Sequence, residues 1–270
     1  MKITVNGISM NYTLDGPASA PAVALSHSLA ANLSLWDAQV SALAHRYRVL
    51  RYDIRGHGGS DAPKGAYPLS QLASDAHALL GALGIRQACF VGLSLGGMIG
   101  QLLALEHPEV LAGLVLCDTT SHVPPEARAL WDERIAEVRG RGLEAQVEAT
   151  VGRWLTADFR ERDPDAVERV RGVIRATNPD GYIGCCHAIR ELDLTDRLAG
   201  IAVPTLVLVG EEDLSTPVAA SQAIHERIDG STLITLPRAA HLSNVEQPEA
   251  FNRALVAFLA KVEETGASSA

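Results

Sequence analysis

A serine hydroxyl attacks a carbonyl at neutral pH only when a base takes its proton and the chain presents it uncrowded. The run Gly92-Leu93-Ser94-Leu95-Gly96 meets the second demand. It sits between the apolar, strand-like Ala88-Cys89-Phe90-Val91 and a helical pattern lasting to about His107, closed by Pro108. Glycines two residues either side of the serine remove the side chains that would collide as a strand turns sharply into a helix. The N–H of Leu95, at the start of that helix, then points to where an oxyanion would form.

The base should follow a late strand. Of nine histidines, His241 lies in a loop after such a run, whereas His225 falls inside a helical stretch and His107 reads as a helix cap. His45, His77, His122 and His187 have no partner that the sequence identifies. Folds that present a serine this way place nucleophile, acid and histidine in that chain order. The acid should therefore come from Gly210-Glu211-Glu212-Asp213, after the strand-like Leu206 to Val209, with Asp118 after the preceding strand as a contender. A second oxyanion donor is expected from Ser26-His27-Ser28-Leu29-Ala30, with the Leu29 N–H as donor and His27 bracing the loop. Asp53-Ile54-Arg55-Gly56-His57-Gly58-Gly59-Ser60 lacks the G-K-[ST] ending of a phosphate loop and opens no helix, so it reads as a structural turn.

The elements that must position these residues alternate. Two short strands joined by Asn6-Gly7 open the chain, a hairpin signal. Strand patterns follow at 22–25, 48–53, 88–91, 110–116, 203–209 and 232–236, with helical spacing at about 36–45, 70–83, 217–227 and 248–263. Such alternation predicts an α/β fold, a mostly parallel sheet covered by helices on both faces. Between 122 and 196 the chain turns more charged, with three helices and no strand, which reads as an insertion after the sixth strand. The expected organisation is a core of 1–121 and 197–265, a helical cap of 122–196, and a flexible tail of 266–270.

Composition narrows the function. The 270 residues are 47% hydrophobic and carry a formal net charge of −9. The 23 Lys+Arg form no basic run, so nothing favours nucleic acid. No apolar stretch approaches the ~20 residues that span a bilayer, and the N-terminus lacks the apolar core of a signal peptide. The four cysteines show no C-x-x-C spacing, so reduced, mostly buried thiols in a cytoplasmic protein are expected, with no metal and no cofactor. A small molecule is the expected partner; oligomeric state is left open.

The elbow, the Asp-x-Arg-Gly-His-Gly loop and the late Asp and His together resemble the α/β-hydrolase superfamily, whose fold carries an eight-stranded, mostly parallel sheet. Within it the chain is most similar to the 3-oxoadipate enol-lactonases. That narrower likeness rests on Leu93-Ser94-Leu95-Gly96-Gly97-Met98, Cys117-Asp118-Thr119-Thr120, Arg153-Trp154-Leu155-Thr156 and Gly181-Tyr182-Ile183-Gly184-Cys185-Cys186-His187-Ala188-Ile189 with Asp193-Leu194. The resemblance places the acid at Asp213 and implies hydrolysis of a carboxylate-bearing enol-lactone to 3-oxoadipate through an acyl-enzyme. Such a substrate calls for a cation in the cap, for which Arg134 and Arg153 are candidates, with Trp36 and Trp154 as apolar walls. The oxyanion loop departs from many superfamily members in carrying Ser28 and Ala30 where they have glycine. The same triad would serve a broad carboxylesterase or perhydrolase, and a non-catalytic small-ligand receptor could share the fold.

Overall fold

The computed structural model describes residues 1–267. Strands β1 (Lys2–Val5) and β2 (Ile8–Asp15) form the expected hairpin, with Asn6 and Gly7 both at positive φ. Then come β3 (Ala22–Ser26), α1 (Asp37–Leu43), β4 (Arg48–Tyr52), α2 (Leu69–Ala82), β5 (Ala88–Leu93), α3 (Leu95–Glu106) and β6 (Leu111–Cys117). After an all-helical stretch the chain resumes with β7 (Thr205–Gly210), α9 (Val218–Arg227), β8 (Thr232–Leu236), the short α10 (Ser243–Glu246) and α11 (Pro248–Ala267).

The eight strands form one sheet in the order β1-β2-β4-β3-β5-β6-β7-β8. Antiparallel pairing is confined to β1–β2 and β2–β4; every other pair is parallel. Parallel strands are covered on both faces, so they read as continuous apolar runs rather than alternations. All residues of β5 and β7 are buried accordingly. Helices α1 and α11 contact each other on one face, and α2 and α3 do so on the other.

This strand order fixes where a site can form. From β3 the chain crosses to β4 on one side, and α2 then carries it back past β3 to β5 on the other. The connections therefore diverge at the carboxyl ends of β3 and β5, leaving a crevice between them. Ser26 and Gly92 stand opposite each other in register there.

The stretch between β6 and β7 holds five α-helices rather than the three expected: α4 (Arg128–Arg141), α5 (Val147–Trp154), α6 (Ala157–Arg162), α7 (Pro164–Ala176) and α8 (Pro179–Arg190). The extra boundaries are capping sites that periodicity alone does not reveal. Thr156 caps α6 through the Phe159 N–H, Asp163 caps α7 through the Ala166 N–H, and Asn178 caps α8. Helix α11 also outruns expectation: Gly266 and Ala267, assigned to a flexible tail, are helical, and 268–270 lie outside the described residues. All four cysteines are buried free thiols. Among the described residues no helix is long and apolar enough to cross a membrane.

Two glycines show how tightly the β3–β5 crevice is built. A Cβ on Gly96 would lie 2.1 Å from the Ser26 carbonyl oxygen, and one on Gly92 would lie 2.1 Å from that of Gly96. Gly172, inside α7, faces open space. Gly96→Ala is accordingly expected to destabilise the fold by about 3 kcal/mol or more. Gly172→Ala should stabilise it by about 0.5–1 kcal/mol through lost chain entropy. Urea unfolding of the two variants beside wild type tests both signs.

Candidate active site

Ser94 occupies the junction of β5 and α3 with φ +55° and ψ −112°, a backbone conformation that side chains rarely adopt. Such strain costs about 1–3 kcal/mol and persists only where the surroundings hold it. Here the end of β6 holds it: the Ser94 N–H donates to the Cys117 carbonyl at 2.9 Å, and Thr119 Oγ1 donates to the Ser94 carbonyl at 2.7 Å. Ser94 borders a cavity of about 380 Å³ whose walls include Leu29, Met98, Arg134, Arg153, Trp154 and His241.

His241 follows β8, and its Nδ1 lies 2.8 Å from Asp213 Oδ2. A carboxylate can only accept, so Nδ1 carries the proton and Nε2, across the ring, keeps the lone pair. Asp213 also accepts from the N–H groups of Ser215 (2.7 Å) and Thr216 (3.1 Å) and from Thr216 Oγ1 (2.7 Å). Burial opposes its charge, yet the charge and hydrogen bond of His241 and the Thr216 donors outweigh that and hold it below the ordinary carboxylate range. No hydrogen bond joins Ser94 to His241 in this structure; such bonds are often long until substrate is seated.

The rival acids go elsewhere. Asp118 is buried beneath, accepting from the Gly210 N–H at 2.8 Å and pairing with Ser243 Oγ at 2.5 Å, without reaching His241. Burial, then the neighbouring charge of Asp213, pushes its carboxyl well up. Glu211 and Glu212 are exposed.

The loop after β3 presents Leu29 to the same cavity, and among the described residues no acceptor takes the N–H of Leu29 or of Leu95. Ala30, at φ +57°, is a second strained residue. Its N–H donates to His57 Nε2 at 3.0 Å, and the Ile54 N–H donates to His27 Nε2 at 2.9 Å. Each ring therefore keeps a lone pair on Nε2, with its proton on Nδ1 facing the carbonyl of Arg55 or Ser28. Burial and the adjacent His27 push His57 down to about 3. Burial lowers His27 too, against the pull of Asp53. The Asp53–Ser60 turn thus braces the loop after β3 from beneath. Its Arg55 is itself locked in a buried ion pair with Asp75, at 2.6 Å.

Arg134 and Arg153 both face the cavity, and among the described residues neither has a carboxylate within ion-pair distance. Arg134 lies over the Trp131 ring at 4.6 Å. Burial, then the charge of Arg134, lowers the pKa of Arg153. Trp154 lines the cavity beside His241, with ring centroids 6.1 Å apart. Trp36 does not reach it. Fully buried, it packs on Phe251 of α11 at 6.2 Å, because the apolar face it shares with Val40 and Leu43 points into the core.

Sequence reasoning missed three features. Glu246 accepts from the Ala240 N–H with one oxygen, at 2.7 Å, and from the N–H and hydroxyl of Thr156 with the other. Helix α8 packs on the Asp53–Ser60 turn so closely that a Cβ on Gly56 would lie 2.4 Å from Gly181 Cα. His77 stacks on His107 at 3.8 Å and, with Glu109, brings potential metal-ligand atoms within 4.8 Å of one another. That group lies at the far end of α3 from Ser94. The Gly181 and Gly184 positions in the Gly-Tyr-Ile-Gly run were the available signal for the helix–turn contact.

The neutral imidazoles have a thermodynamic consequence. His57 binds a proton in the unfolded chain below its ordinary 6.5 but in the folded chain only near 3. Stability from this group is full above 6.5 and declines as pH falls toward 3. His57→Gln keeps an acceptor for the Ala30 N–H and removes the titration. The stability gap between wild type and variant should therefore narrow below pH 6.5, by up to about 1.4 kcal/mol per pH unit. Urea unfolding at pH 8, 6 and 5 measures it; a gap independent of pH would contradict the buried neutral assignment.

Residues 21–248 match the family model described as the alpha/beta hydrolase fold. The chain is 40% identical to 3-oxoadipate enol-lactonase 2 of Acinetobacter baylyi over 95% of each chain. It is 33% identical to a Variovorax paradoxus protein named as a carbamate hydrolase, RutD, over 95% of this chain and 98% of that one. Among solved structures, the enol-lactonase of Burkholderia xenovorans superposes with a TM-score of 0.93 at 40% identity, covering 96% of this chain and all of that one. The chain belongs to the α/β-hydrolase fold family, and it is a carboxylic-ester hydrolase.

Proposed function

We propose that the protein opens 3-oxoadipate enol-lactone, or a close carboxylate-bearing lactone, by way of a Ser94 acyl-enzyme. The observation that carries this reading is the pair Arg134 and Arg153, two cations without carboxylate partners facing the cavity that holds Ser94. Two like charges in a partly desolvated cavity repel each other, and an anionic substrate arm relieves that repulsion. The lactonase relatives support the same substrate class.

The chemistry follows from the geometry. Nε2 of His241 takes the Ser94 proton as Oγ attacks the lactone carbonyl, and Asp213 stabilises the imidazolium through Nδ1. The free N–H groups of Leu29 and Leu95 receive the oxyanion. Collapse breaks the ring C–O bond, and the enol oxygen takes the proton back from His241. The leaving group stays tethered to the acyl chain through the opened ring. Water, deprotonated by His241, then attacks the Ser94 ester; the acyl–Oγ bond breaks, Ser94 takes the proton back from His241, and the diacid is released. The helical segment 122–196 acts as the lid, supplying the cations and Trp154 from above the strand ends.

Ser94→Ala should abolish lactone turnover. Arg134→Ala and Arg153→Ala should each raise KM for the lactone about 10–100-fold, the worth of a charge-assisted contact. Both should leave kcat/KM for p-nitrophenyl butyrate within about threefold. Loss of lactone absorbance beside the ester assay gives the comparison. Wild-type kcat/KM for the lactone in the range of about 10⁴–10⁸ M⁻¹s⁻¹, well above the ester, supports the substrate. Turnover of the ester alone returns the search to simple esters.

A further inference from the structure

On the other side of Trp154 lies a second cleft of about 260 Å³. Its walls are largely apolar: Leu35, Phe159, Val170, Val173, Leu242 and Val245. Polar groups, Asp37, Asp163 and Arg169 among them, also border it. The cleft opens to solvent past the exposed Ser34, Asp37 and Arg169, while its inner wall is apolar and concave, the form that takes a small apolar group. Trp154 is a wall of both spaces, and so is a dipeptide in the loop after β8: His241 lines the Ser94 cavity and Leu242 lines the cleft. The partition is firmly anchored. The Leu242 N–H donates to the Trp154 carbonyl at 3.1 Å, and Thr156, two residues on, is gripped by Glu246.

We propose that Trp154 is a length-determining partition, separating the Ser94 cavity from an apolar cleft that would take an aliphatic chain, and so confining the enzyme to short substrates. The inference rests on the reading of the Ser94 cavity as the catalytic site. Within that cavity the arginines and the indole close the space around a compact, charged lactone. Beyond the indole, the cleft offers the apolar lining and volume that suit a run of methylenes. With the indole gone the two spaces become continuous, and a chain attached to the reacting carbonyl, or to its leaving oxygen, can extend into the cleft.

The test is chain-length selectivity. p-Nitrophenyl acetate, butyrate and octanoate vary the acyl side, and methyl to octyl acetates vary the alcohol side, for wild type, Trp154→Ala and Ser94→Ala. In Trp154→Ala, the octyl-to-short ratio of kcat/KM in one series is expected to rise at least tenfold. Adding Val170→Phe, which refills the cleft from α7, should return the ratio toward wild type. Trp154→Leu serves the same comparison should the alanine variant fold poorly, with thermal unfolding as the check. Ratios unchanged in both series, while Ser94→Ala abolishes ester hydrolysis, would overturn the partition and leave the site reading intact. Hydrolysis of ester and lactone alike unaffected by Ser94→Ala, or absent from wild type for both, would remove the site reading and the partition with it.

Discussion

The arrangement depends on holding one residue, Ser94, at positive φ. That conformation is uphill by about 1–3 kcal/mol, so it exists only because its neighbours leave no alternative. The ends of three strands supply the constraint. β5 ends at the serine, Cys117 of β6 and Thr119 just after it clamp its N–H and its carbonyl, and β3 brings Ser26 so close that residue 96 has no room for a side chain. These contacts require adjacent parallel strands ending at the same level, which the observed register provides. The sheet therefore holds the strained turn in place, and the crevice at the ends of β3 and β5 follows from its strand order.

Around that turn, low dielectric acts differently on each titratable group according to its partners. Asp213 keeps its charge because it has an imidazole and three further donors. Asp118, as deeply buried, has a backbone N–H and a hydroxyl but no cationic partner, and its carboxyl is pushed up. His27 and His57 meet the same burial as bases, and it favours their neutral forms. Neutrality is what the loop needs, since a second ring proton on His57 would remove the acceptor for the Ala30 N–H. The two carboxylates thus take opposite protonation preferences within one buried site, while the two imidazoles share the neutral one.

What could be read in advance was local in sequence. Gly92-x-Ser94-x-Gly96 declares itself because the steric demand falls on residues two positions apart, and His241 because its loop follows a recognisable strand. Burial on both faces made the central strands conspicuous as apolar runs. The choice of Asp213 over Glu211 and Glu212 depends instead on Thr216 folding back onto one particular carboxylate, which spacing does not encode. Trp36 was misplaced because an aromatic at helical spacing serves a pocket or a core equally well by pattern; contact with Phe251, more than two hundred residues on, decides it. The five helices between β6 and β7 were undercounted because three of their breaks lie in single capping side chains and the fourth in the turn at Gly142. The Gly-Tyr-Ile-Gly run, the most telling part of the likeness to lactonases, is largely a packing seam: Gly181 meets Gly56, Gly184 meets the Tyr67 ring, and Tyr182 faces the cavity.

Glu246 shows why the proposed lid and the proposed base cannot be treated as independent parts. One oxygen fixes the backbone next to His241, and the other fixes the turn that follows Trp154. Burial raises its pKa, while the hydrogen bonds it accepts from Thr156 and Ala240 favour the charge. A carboxylate buried in this way is costly to leave unpaired, so neither segment can withdraw without exposing the other's anchor to that cost. The position of the proposed lid wall is thereby tied to the position of the proposed base through a single side chain. A displacement of α5 that widened the cavity would be transmitted to the His241 loop, so cavity shape and base geometry vary together rather than separately.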